Sequence, residues 1–119
     1  MIFAVRELLL EDGSSPYADW FNSLPPVAAA KVTTAKARME LGNLSRVDWF
    51  RGIGEYKIDF GPGYRIYLAK DGLKIIVLLG GGTKHRQQTD IDSAVHLWEE
   101  YKRRKAEAAK AVRKIQKRK

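Results

Sequence analysis

The spacing of hydrophobic and polar positions changes period several times along the chain, and each change marks an element. Residues 2–10, Ile-Phe-Ala-Val-Arg-Glu-Leu-Leu-Leu, are mostly apolar and are closed by Glu11-Asp12-Gly13, which predicts a first strand. Ser14 or Ser15 followed by Pro16 predicts the start of a short helix that stops before Pro25-Pro26. Pro26 opens a second helix, in which Ala28, Val32, Ala35 and Met39 recur at helical spacing and Gly42-Asn43 supplies the left-handed terminus. The two helices form a predicted hairpin able to lie across a sheet. Val47-Asp-Trp-Phe50 then reads as a strand and Arg51-Gly-Ile-Gly54 as a turn.

Strict alternation follows, on both sides of Gly61-Pro62-Gly63. Tyr56, Ile58 and Phe60 alternate with Glu55, Lys57 and Asp59; Tyr64, Ile66 and Leu68 alternate with Arg65, Tyr67 and Ala69. A two-residue loop would set Phe60 opposite Arg65 and mix the faces, whereas a three-residue loop pairs Phe60 with Tyr64, Asp59 with Arg65 and Lys57 with Tyr67. The second register is adopted here. It gives one apolar face, directed to the helices, and one carrying Lys57, Asp59, Arg65 and Tyr67. After a turn at Asp71-Gly72, Lys74-Ile-Ile-Val-Leu-Leu79 is apolar on both faces and reads as a central strand, from which Gly80-Gly81-Gly82 would allow a sharp exit. Thr89 with Asp92 three residues on predicts a capping box, and Ile91, Ala94, Trp98 and Tyr101 form the stripe of a last helix.

These elements predict an α+β class: a small, mostly antiparallel sheet of about four or five strands, an N-terminal helical hairpin on one face and a C-terminal basic helix. At 119 residues and 45% hydrophobic the chain suits one domain. Cysteine is absent, which excludes disulfides, thiolate metal sites and thiol nucleophiles and fits a reducing cytoplasm. The start of the chain lacks the basic-then-apolar order of a signal peptide, and no apolar run reaches membrane-span length. A soluble, cytoplasmic protein is expected, without membrane contact.

Charge changes the picture because it is unevenly placed. Residues 102–119 hold 10 of the 22 Lys and Arg and one of the 14 acids, giving +9 against −1 for residues 1–101. The chain therefore divides into a nearly neutral domain, 1–101, and a basic extension of the last helix, 102–119. That extension is either a solubilising tail or an electrostatic anchor for RNA, with Lys102, Arg103, Arg104 and Lys105 nearest the domain; crowding of like charge without an acidic partner favours the anchor.

The polar hairpin face suggests a chemistry. Metal-independent RNA cleavage uses the ribose 2′-hydroxyl as nucleophile, so the protein must move protons and stabilise charge on phosphate. Arginine binds two phosphate oxygens with a permanent charge, and a lysine crowded by cations can serve in proton transfer. Lys57, Arg65, Lys84, His85 and Arg86 provide such a set if the segment after the central strand lies beside the hairpin. Imidazole is the side-chain type suited to proton transfer near neutrality, which adds His85 as a carrier. Tyr67 either packs across the strands or stacks on a base. For Arg65 the plainer alternative is a cross-strand ion pair with Asp59. Gly80-Gly81-Gly82-Thr-Lys84 lacks Walker spacing and has no predicted helix directly after the lysine, so no nucleotide-binding loop is read. Neither a metal nor a cofactor is expected, since two isolated histidines without supporting carboxylates make no metal site.

The strings Glu55-Tyr-Lys-Ile-Asp-Phe-Gly-Pro-Gly-Tyr-Arg-Ile-Tyr67, Leu78-Leu-Gly-Gly-Gly-Thr-Lys-His-Arg-Gln87 and Asp90-Ile91 resemble the phage-derived addiction-module killer family, the HigB-like branch of the RelE/ParE toxin superfamily. Trp20-Phe21, Leu41-Gly42-Asn43-Leu44 and Leu97-Trp98 flank them in the family's order, so the resemblance covers most of the chain. It implies a RelE-like fold over 1–101 and the toxin of a type II toxin–antitoxin system, a ribosome-dependent mRNA endoribonuclease. By resemblance Arg65 matches the sheet arginine, Lys84 the lysine of the Gly-Gly-x-Lys-x-x-Gln motif, and Lys57 a basic position where arginine is common. With the residue-level reading added, the candidate catalytic set is Lys57, Arg65, Lys84 and His85, although the family does not usually require histidine at that place, and Tyr67, Arg86, Lys102, Arg103, Arg104 and Lys105 are the candidate RNA contacts. The implied partners are mRNA, the ribosome and a cognate antitoxin, commonly a helix-turn-helix protein, in a toxin–antitoxin hetero-oligomer. ParE-like members of the superfamily instead inhibit DNA gyrase without cutting RNA, and a non-catalytic RNA-binding regulatory module is a third reading. The basic tail stands outside the shared motif.

Overall fold

A computed structural model describes residues 2–117. Five strands form one sheet in the order β1-β5-β4-β3-β2: β1 (Ala4–Glu7), β2 (Val47–Phe50), β3 (Ile53–Ile58), β4 (Tyr64–Asp71) and β5 (Ile75–Thr83). All neighbours are antiparallel except β1, which runs parallel to β5. The architecture is α+β, with a long C-terminal helix.

Helix α1 (Pro16–Asn22) starts as its sequence dictates: Ser15 accepts a hydrogen bond from the Ala18 N–H at 3.0 Å, and Pro16 occupies the first position. Helix α2 (Pro26–Glu40) buries the expected stripe Ala28, Val32, Ala35 and Met39. It ends where Gly42 takes φ 90° and the Asn43 N–H reaches back to the Arg38 carbonyl at 2.9 Å. This stripe, with Tyr17 of α1, packs on Tyr56, Ile66, Leu68, Ile76 and Leu78 of the sheet.

The opposite face is also covered. Helix α3 (Gln87–Lys117) lays Ile91, Ala94 and Trp98 over Ile53, Tyr67, Ala69, Val77 and Leu79. Burying a side chain such as Ile91 or Trp98 contributes roughly 1.5–3 kcal/mol, so the face expected to be open and polar is a second core. The alternation itself holds: Ile66 and Leu68 point one way, Tyr67 and Ala69 the other.

Three expectations are corrected. The hairpin register is two residues away from the expected one: Ile58 faces Tyr64, Lys57 faces Arg65, and Glu55 faces Tyr67. Asp59 and Phe60 leave the ladder because the connecting turn, closed by the Gly63 N–H to the Phe60 carbonyl and carrying Gly61 and Gly63 at positive φ, takes more chain than three residues. A shift of two preserves the face of every side chain, so only the partners change. Second, the central strand does not exit at Gly80 but continues to Thr83, after a bulge opposite Tyr67 and Leu68. A Cβ on Gly81 would run into the Trp20 ring, and one on Gly82 into the Asp90 carboxylate, so the glycines let α1 and α3 approach the strand from both sides. Third, no capping box forms at Thr89, which lies inside α3; a 3₁₀ turn (Lys84–Arg86) follows Thr83 and runs directly into the helix.

Candidate functional site

The end of the sheet formed by the β3–β4 loop and the start of α3 brings together most of the candidate residues. Lys57 and Arg65 face each other across the β3–β4 ladder. The Gly63 carbonyl accepts from the Lys84 backbone N–H at 2.9 Å and from Arg65 Nη1 at 3.1 Å, which ties the hairpin loop, the arginine and the helix start to one oxygen. Lys84 is thus fixed beside Arg65 through its backbone, while its side chain is exposed.

Below this rim sits a buried polar network. The side chain of Glu55 is 3% exposed, and its Oε2 accepts from the Tyr67 hydroxyl at 3.1 Å and from Gln87 Nε2 at 2.9 Å. Arg65 Nε lies 3.5 Å from the same oxygen, close enough for charge attraction but without a hydrogen bond, and among the described residues it is a buried donor left unbonded. The guanidinium therefore depends on Glu55 for its counter-charge. Lys57 stands further out, with its ammonium 3.9 Å from Glu55 and 3.7 Å from Asp48, its side chain half exposed. The alternative of an Asp59–Arg65 ion pair is not realised among the described residues, because Asp59 has left the ladder and Glu55 takes its place.

Tyr67 has a different role from base stacking. It is 1% exposed beneath α3, and burial, together with Glu55, pushes its hydroxyl above the ordinary tyrosine range. It is a neutral donor that orients the carboxylate. His85 is exposed next to Lys84. Arg86 turns away, toward a cleft of about 340 Å³ bounded by Trp20, Tyr64 and Asp90. There burial raises the carboxyl of Asp90, an effect that Arg86 opposes.

The tail cations lie elsewhere. Lys102 is roughly 22 Å along the helix from Gln87, and its ammonium meets Glu99 at 3.1 Å. Arg103 bridges Glu100 and Glu107 at 2.6 and 3.0 Å, Arg104 donates to the Leu9 carbonyl at 3.3 Å, and Lys105 meets Asp71 at 2.6 Å. These residues fasten the helix to itself and to the domain. The described cations beyond them, Lys110, Arg113, Lys114 and Lys117, are exposed, while Arg118 and Lys119 of the predicted 102–119 extension lie outside the described residues.

Sequence reasoning missed Glu55 and Gln87. Glu55 was visible only as one polar step in an alternating strand, and nothing local said that a helix would bury it. Gln87 did carry a signal, as the last residue of the Gly-Gly-x-Lys-x-x-Gln string, and its structural work is to hold Glu55. Among the described residues no three His, Asp or Glu side chains converge as a metal cluster.

An uncharacterized protein of Haemophilus influenzae is 35% identical to this chain over 86 residues, covering 71% of this chain and 87% of that protein. No family model matches the chain, and no solved structure matches it.

Proposed function

The chain belongs to one family with that uncharacterized Haemophilus influenzae protein, and we propose that it is the toxin of a type II toxin–antitoxin pair, with a RelE-like fold, which cuts translated mRNA without a metal. One observation carries the reading: three cations from three different elements are linked at one end of the sheet, Arg65 and the Lys84 backbone through the Gly63 carbonyl, and Arg65 and Lys57 through the buried carboxylate of Glu55. Cations held in place before a substrate arrives stabilise developing phosphate charge without reorganisation.

In this mechanism Lys84 and Lys57 hold the scissile phosphate above the edge of Arg65. The ribose 2′-oxygen attacks phosphorus as its proton leaves, the bond to the 5′-oxygen breaks, and the products are a 2′,3′-cyclic phosphate and a 5′-hydroxyl. His85, exposed at the rim, exchanges the protons. Glu55 acts through Arg65, fixing its orientation. The partners in this reading are mRNA in the ribosomal decoding site and a helix-turn-helix antitoxin that forms a hetero-oligomer with the toxin.

Primer extension on mRNA from translating cells tests it. Expression of the parent is expected to give codon-phased cuts that fall by about 10²-fold or more in Lys84→Ala and Lys57→Ala, both exposed positions whose loss leaves the core intact. Intact mRNA with lost DNA supercoiling would overturn the nuclease and support the gyrase-inhibitor alternative.

A further inference from the structure

A groove of about 460 Å³ runs between α2 and the outer edge of β3. Lys31, Thr34 and Arg38 line it from α2, at the i, i+3, i+7 spacing of one helix face, and Arg46 lines it from the approach to β2. Among the described residues none of these three cations has a carboxylate within ion-pair distance. The one acid in the lining is Asp59. At the rim Phe60 is 36% exposed, and the Lys31 ammonium stands 4.9 Å from its ring centre.

The groove adjoins the Lys57 site. Strand β2 pairs with β3 only as far as Tyr56, so Lys57 and Ile58 have no β2 ladder partner on their outer side. Lys57 points to one side of it, while Ile58 points to the other and lines the groove. Cations therefore continue around the edge of the sheet, from Lys57 to Arg46, Arg38 and Lys31.

We propose that this groove is a second subsite for single-stranded RNA, taking the strand as it leaves Lys57 and passes over the edge of β3. Naming RNA as the ligand rests on the reading of the Lys57 site given above. The groove's own chemistry favours a nucleic acid strand over an acidic peptide: Lys31 and Arg38 are spaced about 10 Å along the helix, the span of more than one phosphate contact, and an exposed aromatic ring beside them offers a base a stacking surface. Arg46, one residue before the Val47 that pairs with Tyr56, supplies a third phosphate contact.

Fluorescence anisotropy of a short uridine oligoribonucleotide, titrated with full-length protein at several salt concentrations, tests the subsite. The triple variant Lys31→Gln, Arg38→Gln, Arg46→Gln is compared with Lys110→Gln, Arg113→Gln, Lys114→Gln, an equal loss of charge in the tail. The groove variant is expected to lower the slope of log affinity against log salt by about 2, and affinity at 0.1 M salt by roughly 10- to 100-fold, with a smaller loss for the tail variant. Phe60→Ala is expected to weaken binding at least about fivefold and Phe60→Tyr to retain it. Equal losses in the two triple variants, or displacement of the RNA by a polyglutamate peptide at the same charge concentration, would overturn the proposal. Primer extension with Lys57→Ala, run in parallel, separates the two readings. Groove-dependent RNA binding without Lys57-dependent cuts removes the nuclease and leaves the subsite; Lys57-dependent cuts with unchanged binding by the groove variant remove the subsite alone.

Discussion

Replacing Glu55 with Gln changes one heavy atom and removes the carboxylate that, among the described residues, stands within ion-pair distance of the buried Arg65 guanidinium. Arg65 is 8% exposed at its side chain, its Nε has no hydrogen-bond partner, and Glu55 Oε2 at 3.5 Å is its counter-charge. Breaking a buried pair by removing one partner costs about 3–5 kcal/mol, because the remaining charge stays desolvated. The amide still offers an oxygen to Tyr67 or to Gln87, so most of the loss is electrostatic rather than steric. Against a typical domain stability of ~5–15 kcal/mol this is a large fraction. Urea unfolding followed by tryptophan fluorescence should therefore show a much lower midpoint at an unchanged slope. The double variant Glu55→Gln, Arg65→Met is the decisive comparison. If the loss comes from stranded charge, the methionine should recover about 2 kcal/mol or more of it, a non-additivity that only coupled sites display. A loss under about 1 kcal/mol for Glu55→Gln, or strict additivity in the double variant, would refute the view that Glu55 holds the arginine.

Other positions yield further expectations. Gly81→Ala and Gly82→Ala should each lower stability by about 1–3 kcal/mol by forcing Trp20 or Asp90 aside, read as a drop in thermal midpoint. Arg51 occupies the left-handed region at φ 52° in the two-residue β2–β3 turn, with Gly52 at φ 81° after it. Arg51→Asn should raise the urea midpoint, since Asn accepts that conformation and the lost contact to Asp92 is between exposed groups. Two aspartates should give opposite pH signatures. Hydrogen bonds from Lys105 and Tyr101 hold Asp71 below its ordinary 3.8, so it stabilises the fold at neutral pH and that contribution disappears as pH falls through and below 3.8. Asp71→Asn should then be less stable than the parent at pH 7 and should converge with it in acid. Burial raises Asp90, so its charged form opposes folding above its ordinary 3.8; Asp90→Asn should be more stable than the parent at pH 7, with the difference vanishing in acid. Stability curves from pH 2 to 8 would reveal either sign reversed.

Local chemistry made parts of this fold legible in the sequence. Ser15 with Pro16, the α2 stripe ending at Gly42, and the side-chain parity of β3 and β4 depend on nearest neighbours and on period, and they stand as expected. Long-range packing hid the rest. Gly80, Gly81 and Gly82 resemble an exit from a strand because glycine is a poor strand former, yet two helices approaching the strand explain Gly81 and Gly82. Thr89 and Asp92 fit a capping pattern, but the helix had already begun at the preceding 3₁₀ turn, and Asp92 instead meets Arg51 at 2.8 Å. The site was legible as a set of cations and illegible as a network. Lys57, Arg65 and Lys84 have the composition of a phosphate site, whereas the burial of Glu55 and Tyr67 follows from α3 crossing their face.

The unbroken course of α3 gives the molecule a fixed gauge. One helix begins beside Lys84 and continues to Lys117, so Val112 stands about 40 Å from Lys84 along a rod that has no hinge residue in it. A macromolecule engaging both ends must offer its two contacts at that separation and at one azimuth. Inserting a single residue after Tyr101 would turn the cations from Lys102 to Lys117 by about 100° while advancing them only ~1.5 Å. The phase of the tail, as much as its charge, thereby becomes a heritable variable on which a partner can select.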